Sequence, residues 1–509
     1  MSDRGARAHP WSHSLTLLGA ALVVRLAVAA VIPLFPDETY YWEWSRHLAG
    51  GYFDHPYGIA ACVAVGRALL APFGAGESRL AVRLVPVLLG GLASLAAAGT
   101  ARRLAGDVAA WRAAMAITVL PLAAAGLVLA TPDAPLLAAT SLGVYAVTRA
   151  LQAPPRSRQA LLWWAITGLG LGGAFSSKYT SILLPVGVVL AVLLRRELRA
   201  RLAEPGPYVA CVVATLVFVP VLVWNSHHEW ISFTFQLRHG LGVPRGSVLK
   251  REGDLIGGQA GLVSPILFVL MAIAVGRALR RGAQPAAFAL ATVATFAFAF
   301  FAYSATRRPV EANWPAPAYI PGVALLGAAA WGATGRRWLT AGYWLAGVLS
   351  GVVYLHAVAG VLPLAPRRDP IARSHGWSEL AAATDSVARA AAQRDHAPAW
   401  IGADRYQDAS ELAYHGTGRP TTFSMNLAGR ANQYDLWPGF AQLAHPAESL
   451  VLALDESVGM HPTVVRLAPF FATAERGPLV AIPSRRGPVG VRRIWVLHRW
   501  NGGWPAPGP

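Results

Sequence analysis

The chain has 509 residues, with 44 Lys+Arg against 26 Asp+Glu and a formal net charge of +18. Only 14% of its residues are charged and 54% are hydrophobic, whereas a soluble protein of this size uses roughly 25% charged residues. This excludes an ordinary soluble enzyme and removes the polar surface a nucleic-acid partner needs, leaving a polytopic membrane protein whose positive charge sorts its loops.

A membrane-crossing helix needs ~20 mainly apolar residues. Such runs are predicted at 14–35, 80–101, 110–131, 134–151, 160–176, 179–195, 208–225, 255–276, 285–304, 315–334 and 339–362, about eleven in all. The first run lacks a small-residue cleavage site after it and reads as a span rather than a leader. Arg25 in its middle costs ~3 kcal/mol if it faces lipid, so it is expected to face other helices. The stretch 57–73 is also apolar but holds Arg67 and two glycines, and it reads as a membrane-surface helix.

Orientation follows from Arg in short loops. With the N-terminus inside, the inside connections carry Arg102, Arg103 and Arg112; Arg149, Arg156 and Arg158; Arg195, Arg196, Arg199 and Arg201; Arg277, Arg280 and Arg281; and Arg336 and Arg337. Most acids fall in the other loops. An odd number of spans then puts the C-terminus outside. From about Arg367 the composition becomes that of a small soluble α/β domain of roughly 140 residues, a normal domain size. Strands are predicted at 399–403, 449–454, 479–482 and 492–498, and helices at 378–394 and 408–415. The expected fold class is an all-α polytopic membrane domain over 1–363, with surface helices in its first outside loop, and a C-terminal α/β domain over 364–509.

Five polar constellations fall in the outside connections. The first is Pro36-Asp37-Glu38-Thr39-Tyr40-Tyr41-Trp42-Glu43-Trp44. It reads either as a helix capped by Asp37 with an interfacial aromatic belt, or as a carboxylate base at a low-dielectric boundary, where its pKa rises toward the working pH. The second is the Asp54-His55-Pro56 turn, an acid and a phosphate contact, or a turn before a Pro-initiated helix. The third is Asp133 between two prolines, a site acid or a turn residue. The fourth is Ser177-Lys178-Tyr179, where one of only two lysines among the 44 basic residues stands outside. It suits a phosphate oxygen, or it is a snorkelling anchor. The fifth is Arg307-Arg308-Pro309-Val310-Glu311-Ala312-Asn313-Trp314, with a guanidinium pair for a phosphate and an indole for a sugar face, or a charged flank with a belt residue. His227, His228 and Glu229 lack the spacing of a helical metal pair, so no metal site is expected there. Cys62 and Cys211 both lie in apolar runs, which excludes a disulfide framework or a thiolate cluster.

In combination these segments resemble the bacterial polyprenyl-phosphate-sugar-dependent membrane glycosyltransferases of the C-superfamily, related to protein O-mannosyltransferases and the aminoarabinose transferase of lipid A. The resemblance rests on Asp37-Glu38-Thr39-Tyr40-Tyr41-Trp42, Tyr52-Phe53-Asp54-His55-Pro56, Pro132-Asp133, Ser177-Lys178-Tyr179-Thr180, Trp224-Asn225, Glu311-Ala312-Asn313-Trp314-Pro315 and Tyr406-Gln407-Asp408-Ala409-Ser410. It implies inverting transfer of a monosaccharide from a polyprenyl-phosphate donor to a hydroxyl of a glycan, lipid or protein acceptor, on the outer face of the bacterial plasma membrane. Asp37 would be the base and Glu38 its neighbour, orienting acceptor or helix. Asp54, His55, Asp133, Lys178, Tyr179, Arg307, Arg308, Asn313 and Trp314 would bind substrate, and a divalent cation is a candidate cofactor. Thr39 stands where the family often has Ala, Tyr57 where a second Pro is common, and His55 where relatives acting on lipid A carry Lys. A transporter or flippase for lipid-linked sugars is the alternative. It predicts midplane ionisable residues and two related halves, whereas here the acids sit at one face and no halves are legible.

Overall fold

The computed structural model describes residues 11–241, 247–427 and 429–505. These fall into two compact units: the residues up to Val31 together with Leu48–Val358, and Ile32–His47 together with the chain from Ala359 onward.

The first unit is helical. Among the described residues six of its helices are long and apolar enough to cross a membrane: Trp11–Val31, Arg79–Val119, Asp133–Gln152, Gly206–Ser226, Pro285–Ala305 and Ala333–Ala359. The pair Val248–Val263 and Pro265–Ala278 adds a seventh if taken as one span, although it bends by 99°. Ser264 makes that bend at φ 70°, and its hydroxyl accepts from the Leu267 N–H to start the second helix behind Pro265. Two predicted runs, 80–101 and 110–131, meet in the Arg79–Val119 helix, whose helical backbone is broken at Ala105 and Gly106. Gly106 has φ 80° and ψ −169°, a conformation open essentially to glycine alone. The remainder of 110–131 continues as a short helix, Pro121–Gly126. The runs 179–195 and 315–334 form shorter apolar helices, Tyr179–Leu194 and Ala316–Ala328, and the surface stretch 57–73 forms Gly58–Phe73. Arg25 faces the helices as expected, being 2% exposed. It donates to Ser94 Oγ at 3.3 Å and to the Ile117 carbonyl at 3.1 Å, which satisfies a charge that lipid would not.

The second unit carries a five-stranded sheet in the order β2-β1-β3-β5-β4, with β1 Ala399–Ala403, β2 Thr422–Ser424, β3 Ser449–Asp455, β4 Phe471–Ser484 and β5 Gly487–Trp500. β1 is parallel to β2 and β3, while β5 is antiparallel to β3 and β4. The predicted strands and helices are all present, and β2 is an addition, too short to show in the sequence. β3 is buried on both faces, which explains its unbroken run Leu450-Val451-Leu452-Ala453-Leu454. Leu450, Leu452 and Leu454 join Phe440, Val464 and Trp495 in one core. The helix Trp377–Asp395 buries Leu380, Ala381, Thr384, Ala388 and Ala391, the three-and-four spacing of an amphipathic helix.

The segment Pro36–Arg46 is a helix of this second unit. Its aromatics pack within the unit and do not form an interfacial belt. Trp42 and Trp44 are fully buried. Tyr40 lies 4.4 Å from Tyr406 and stacks on Tyr434, and Trp42 meets Tyr414 edge-on at 5.1 Å. The run Tyr406–His415 forms the partner helix.

Candidate active site

The eleven residues singled out from the sequence divide between the units. Asp37 and Glu38 belong to the second, and Asp54, His55, Asp133, Lys178, Tyr179, Arg307, Arg308, Asn313 and Trp314 to the first.

In the second unit, Phe35 is the N-cap of the Pro36–Arg46 helix and Pro36 opens it, where the missing N–H costs nothing. The capping role that one of the two sequence readings gave Asp37 falls to Glu38. Its buried carboxylate Oε2 accepts from the Phe35 N–H at 3.0 Å. Asp37 is thereby left free to turn outward, and it lines a cavity of about 710 Å³ with Arg367, Arg373, Arg405, Gln407 and Arg492. The carboxylate is reachable from this cavity, yet enough protein surrounds it that desolvation raises its pKa above the ordinary carboxylate value. Gln407 Nε2, 3.5 Å from Oδ1, works in the opposite direction, Glu38 adds to the rise, and Arg430 and Arg373 oppose it. Behind this wall Glu411 is fully buried, and burial followed by the charges of Asp408 and Glu38 pushes it well above the usual range. Gln407, Arg373 and Glu411 were not singled out from the sequence. The motif Tyr406-Gln407-Asp408 was noted, but nothing local to it says that Gln407 reaches a residue 370 positions away.

In the first unit three expected residues from three connections are hydrogen-bonded together, Asp133 and Lys178 buried and Asn313 exposed. Lys178 Nζ donates to Asp133 Oδ1 at 2.8 Å, and Asn313 Nδ2 donates to Asp133 Oδ2 at 2.6 Å. Asp133 sits in the first turn of the Asp133–Gln152 helix, which favours its negative charge. Tyr179 follows, its hydroxyl accepting from Asn225 Nδ2 at 3.4 Å, with its ring against Phe233. The turn carrying Asp54 and His55 is pinned by Gln236 Nε2 donating to the Asp54 carbonyl at 2.7 Å and by Ser232 donating to the Tyr52 carbonyl at 2.7 Å. It is tied toward Lys178 by Gly58 N–H donating to the Ser176 carbonyl at 2.8 Å. Arg307 lies over the Tyr303 ring at 5.4 Å, and among the described residues neither Arg307 nor Arg308 forms an ion pair. Trp314 packs at 6.4 Å from Phe301.

Two further residues hold the 305–313 connection. Arg251 is buried and donates to the Ala305 and Thr306 carbonyls at 2.8 and 2.7 Å, and Gln259 donates to the Ala312 carbonyl at 2.9 Å. Arg251 was not among the residues singled out from the sequence. A second cavity, of about 720 Å³, has apolar walls that include Leu89, Leu92 and Leu142, and it reaches Tyr57, Ser176 and Ser177. Among the described residues no group of three or more His, Cys, Asp or Glu is placed to hold a metal ion.

Solved structures share this architecture of many apolar helices with a small α/β unit. The crystal structure of ArnT from Cupriavidus metallidurans bound to undecaprenyl phosphate superposes with a TM-score of 0.64 over 96% of this chain and 98% of that one, at 18% identity. The mycobacterial arabinofuranosyltransferase AftD shares the fold at TM-score 0.52 and 12% identity, over 95% of this chain and 40% of its own. The model of the dolichyl-phosphate-mannose-protein mannosyltransferase family matches residues 54–224. Lipid A galacturonosyltransferase RgtD of Rhizobium johnstonii is 31% identical over 321 residues, 62% of this chain and 65% of that protein. The chain thus spans just under two thirds of that relative's length. The resemblance read from the motifs is borne out.

Proposed function

We propose that the protein is an inverting glycosyltransferase that moves a monosaccharide from a polyprenyl-phosphate donor to an acceptor hydroxyl. The observation that carries this reading is Asp37, an accessible carboxylate on a cavity wall, with its pKa raised and its neighbour Glu38 committed to the helix start. In the reaction the acceptor oxygen attacks C1 of the sugar while its proton passes to the Asp37 carboxylate. The C1–O bond to the phosphate breaks with its electron pair, polyprenyl phosphate leaves, and Asp37 returns the proton to solvent. A base whose pKa lies nearer the working pH is the more effective one.

We assign the donor phosphate to Lys178, Arg307 and Arg308. Lys178 keeps two ammonium protons beyond the one it gives Asp133, and the uncommitted guanidiniums are suited to an oxyanion. Asn313 and Trp314 line the sugar, with Asp54, His55 and Tyr179 as further contacts. The apolar cavity ending at Ser176 and Ser177 suits the start of a polyprenyl chain. The names of RgtD and of the ArnT complex support a lipid-linked donor and a glycolipid among the acceptor classes. Eleven crossings, counting the short and bent helices, and a multi-pass place in the bacterial inner membrane with the C-terminal unit outside complete the reading. A divalent cation is an additional expectation, tested by turnover in the presence of a chelator.

The deciding experiment is turnover of polyprenyl-phosphate sugars by the purified protein and its D37N variant, with mass spectrometry of envelope glycolipids from cells with and without the gene. Unchanged turnover in D37N removes Asp37 as the base.

A further inference from the structure

The cavity beside Asp37 contains more cation than its own acids use. Its lining includes Asp37, Asp408, Asp455 and Glu456 against Arg367, Arg373, Arg405 and Arg492. Three of the four acids are committed. Asp408 is bound by Arg492 at 2.9 Å, Asp455 by Arg405 and Arg492, and Glu456 by Arg493 at 2.9 Å and Arg476 at 2.8 Å. Arg405 and Arg492 are committed by the same pairs. The fourth acid, Asp37, has an amide as its hydrogen-bond partner. That leaves Arg367 and Arg373 exposed, on the 367–377 stretch of the wall, and among the described residues neither makes an ion pair with a carboxylate. Trp377 fixes this stretch from behind, since its indole N–H donates to the Arg373 carbonyl at 2.8 Å. The two guanidiniums are held on the same cavity as the candidate base, and a guanidinium matches an oxyanion in charge and hydrogen-bond geometry.

We propose that this cavity seats the acceptor through an oxyanion, a phosphate monoester or carboxylate, bound by Arg367 and Arg373, so that the acceptor class is anionic. The inference rests on the reading of Asp37 as base and deepens it. Binding the acceptor's charge here would bring its hydroxyl toward Asp37, and would give the C-terminal unit a direct part in acceptor choice. Attraction of this kind is screened by salt, so it acts most strongly at low ionic strength.

The test uses the full-length protein in neutral detergent and reads binding rather than turnover. Glucose 6-phosphate and glucuronate are titrated against glucose, and dioleoyl phosphatidic acid in mixed micelles against phosphatidylcholine. At least one anionic probe is expected to bind tenfold or more tightly than its neutral counterpart. That preference is expected to disappear in R367A/R373A and to return in R367K/R373K. Both positions are exposed, and an unchanged melting temperature checks that the variants fold. A response in the sugar arm identifies a soluble anionic acceptor, and one in the lipid arm a lipid headgroup. Either supports the site. A preference that persists in R367A/R373A, or no preference in any arm, overturns it. D37N separates the two levels: it keeps the anion preference whatever its turnover, and retained turnover there removes the base assignment while leaving the anion result intact.

Discussion

The Lys178 ammonium lies 2.8 Å from Asp133 Oδ1, with the two side chains only 10% and 8% exposed. A pair this buried is held in balance, because removing one partner strands the other's charge away from water. D133N is therefore expected to destabilise the protein by ~3–5 kcal/mol, the usual result of breaking a buried pair. The double variant D133N/K178M removes both charges and should recover much of that loss while leaving turnover abolished. Thermal unfolding in detergent, set beside turnover, separates the two contributions. Recovery of turnover in the double variant would remove both residues from the reaction.

The first carboxylate pair separates in the same way. Glu38 closes the helix start and Asp37 faces the cavity. E38Q keeps an oxygen for the Phe35 N–H and should stay close to wild type in both stability and rate. E38A loses the cap at ~1 kcal/mol. D37N should lower kcat by ~10²–10⁴, the usual contribution of a general base. Circular dichroism and single-turnover rates check both.

The raised pKa of Asp37 gives a pH prediction with a definite sign. Its folded-state pKa lies above that of the unfolded chain, so the folded state holds the proton more tightly and ionisation costs stability as pH rises through the raised value. Turnover should therefore climb with pH through a value above the ordinary carboxylate range. D37N should melt higher than wild type above that pH and equally below the ordinary carboxylate range. Gln407 favours the ionised form, so Q407L should move the acid limb of kcat/KM to higher pH. A limb that stays in place in Q407L would show that Gln407 does not tune the base.

How much of this was legible in the sequence follows from what each residue's signal depends on. Asp37, Asp133 and Lys178 stood out because a charge in an apolar chain is costly and needs a reason, and that holds whatever the fold. A membrane belt was one of the readings open for Tyr40, Trp42 and Trp44, because aromatics beside an apolar helix look alike in either setting. The difference lies in Tyr406, Tyr414 and Tyr434, more than 360 positions further along the chain. The same distance hid Gln407. Gly106 breaks the Arg79–Val119 helix in a chain with 50 glycines, and nothing nearby marks it as one of those that take positive φ. Arg251 was visible as a cation, but its two carbonyl partners appear only when the helix Val248–Val263 and the 305–313 connection are in place.

Arg251 also supports a prediction for a residue outside the proposed chemistry. Its fork holds the Ala305 and Thr306 carbonyls just before Arg307 and Arg308. R251A removes two charge-assisted bonds of ~1.5–3 kcal/mol each and frees that connection. If Arg307 and Arg308 hold the donor phosphate, KM for the donor should rise tenfold or more with a smaller change in kcat. R251K supplies the charge without the fork and should restore little. A fall in kcat alone would place Arg251's effect elsewhere.

Gly58 tests how closely the first outside loop must approach the lysine turn. Its N–H donates to the Ser176 carbonyl at 2.8 Å, and a Cβ built on Gly58 would sit 2.8 Å from that same oxygen and 3.0 Å from Ser177 Oγ. The nearest obstacle is backbone, so G58A must push residues 176–178 away, at a cost of ~1–3 kcal/mol for overpacking. That displacement carries Lys178 with it and loosens its bond to Asp133. G58A should therefore lower both the melting temperature and the affinity for the polyprenyl-phosphate donor. A64G, at a half-buried position further along the Gly58–Leu70 helix and away from the lining of the apolar cavity, should cost only the ~1 kcal/mol of helix propensity and leave donor affinity unchanged. Equal donor affinity in G58A and wild type would show that the 176–178 turn does not position Lys178 for the donor.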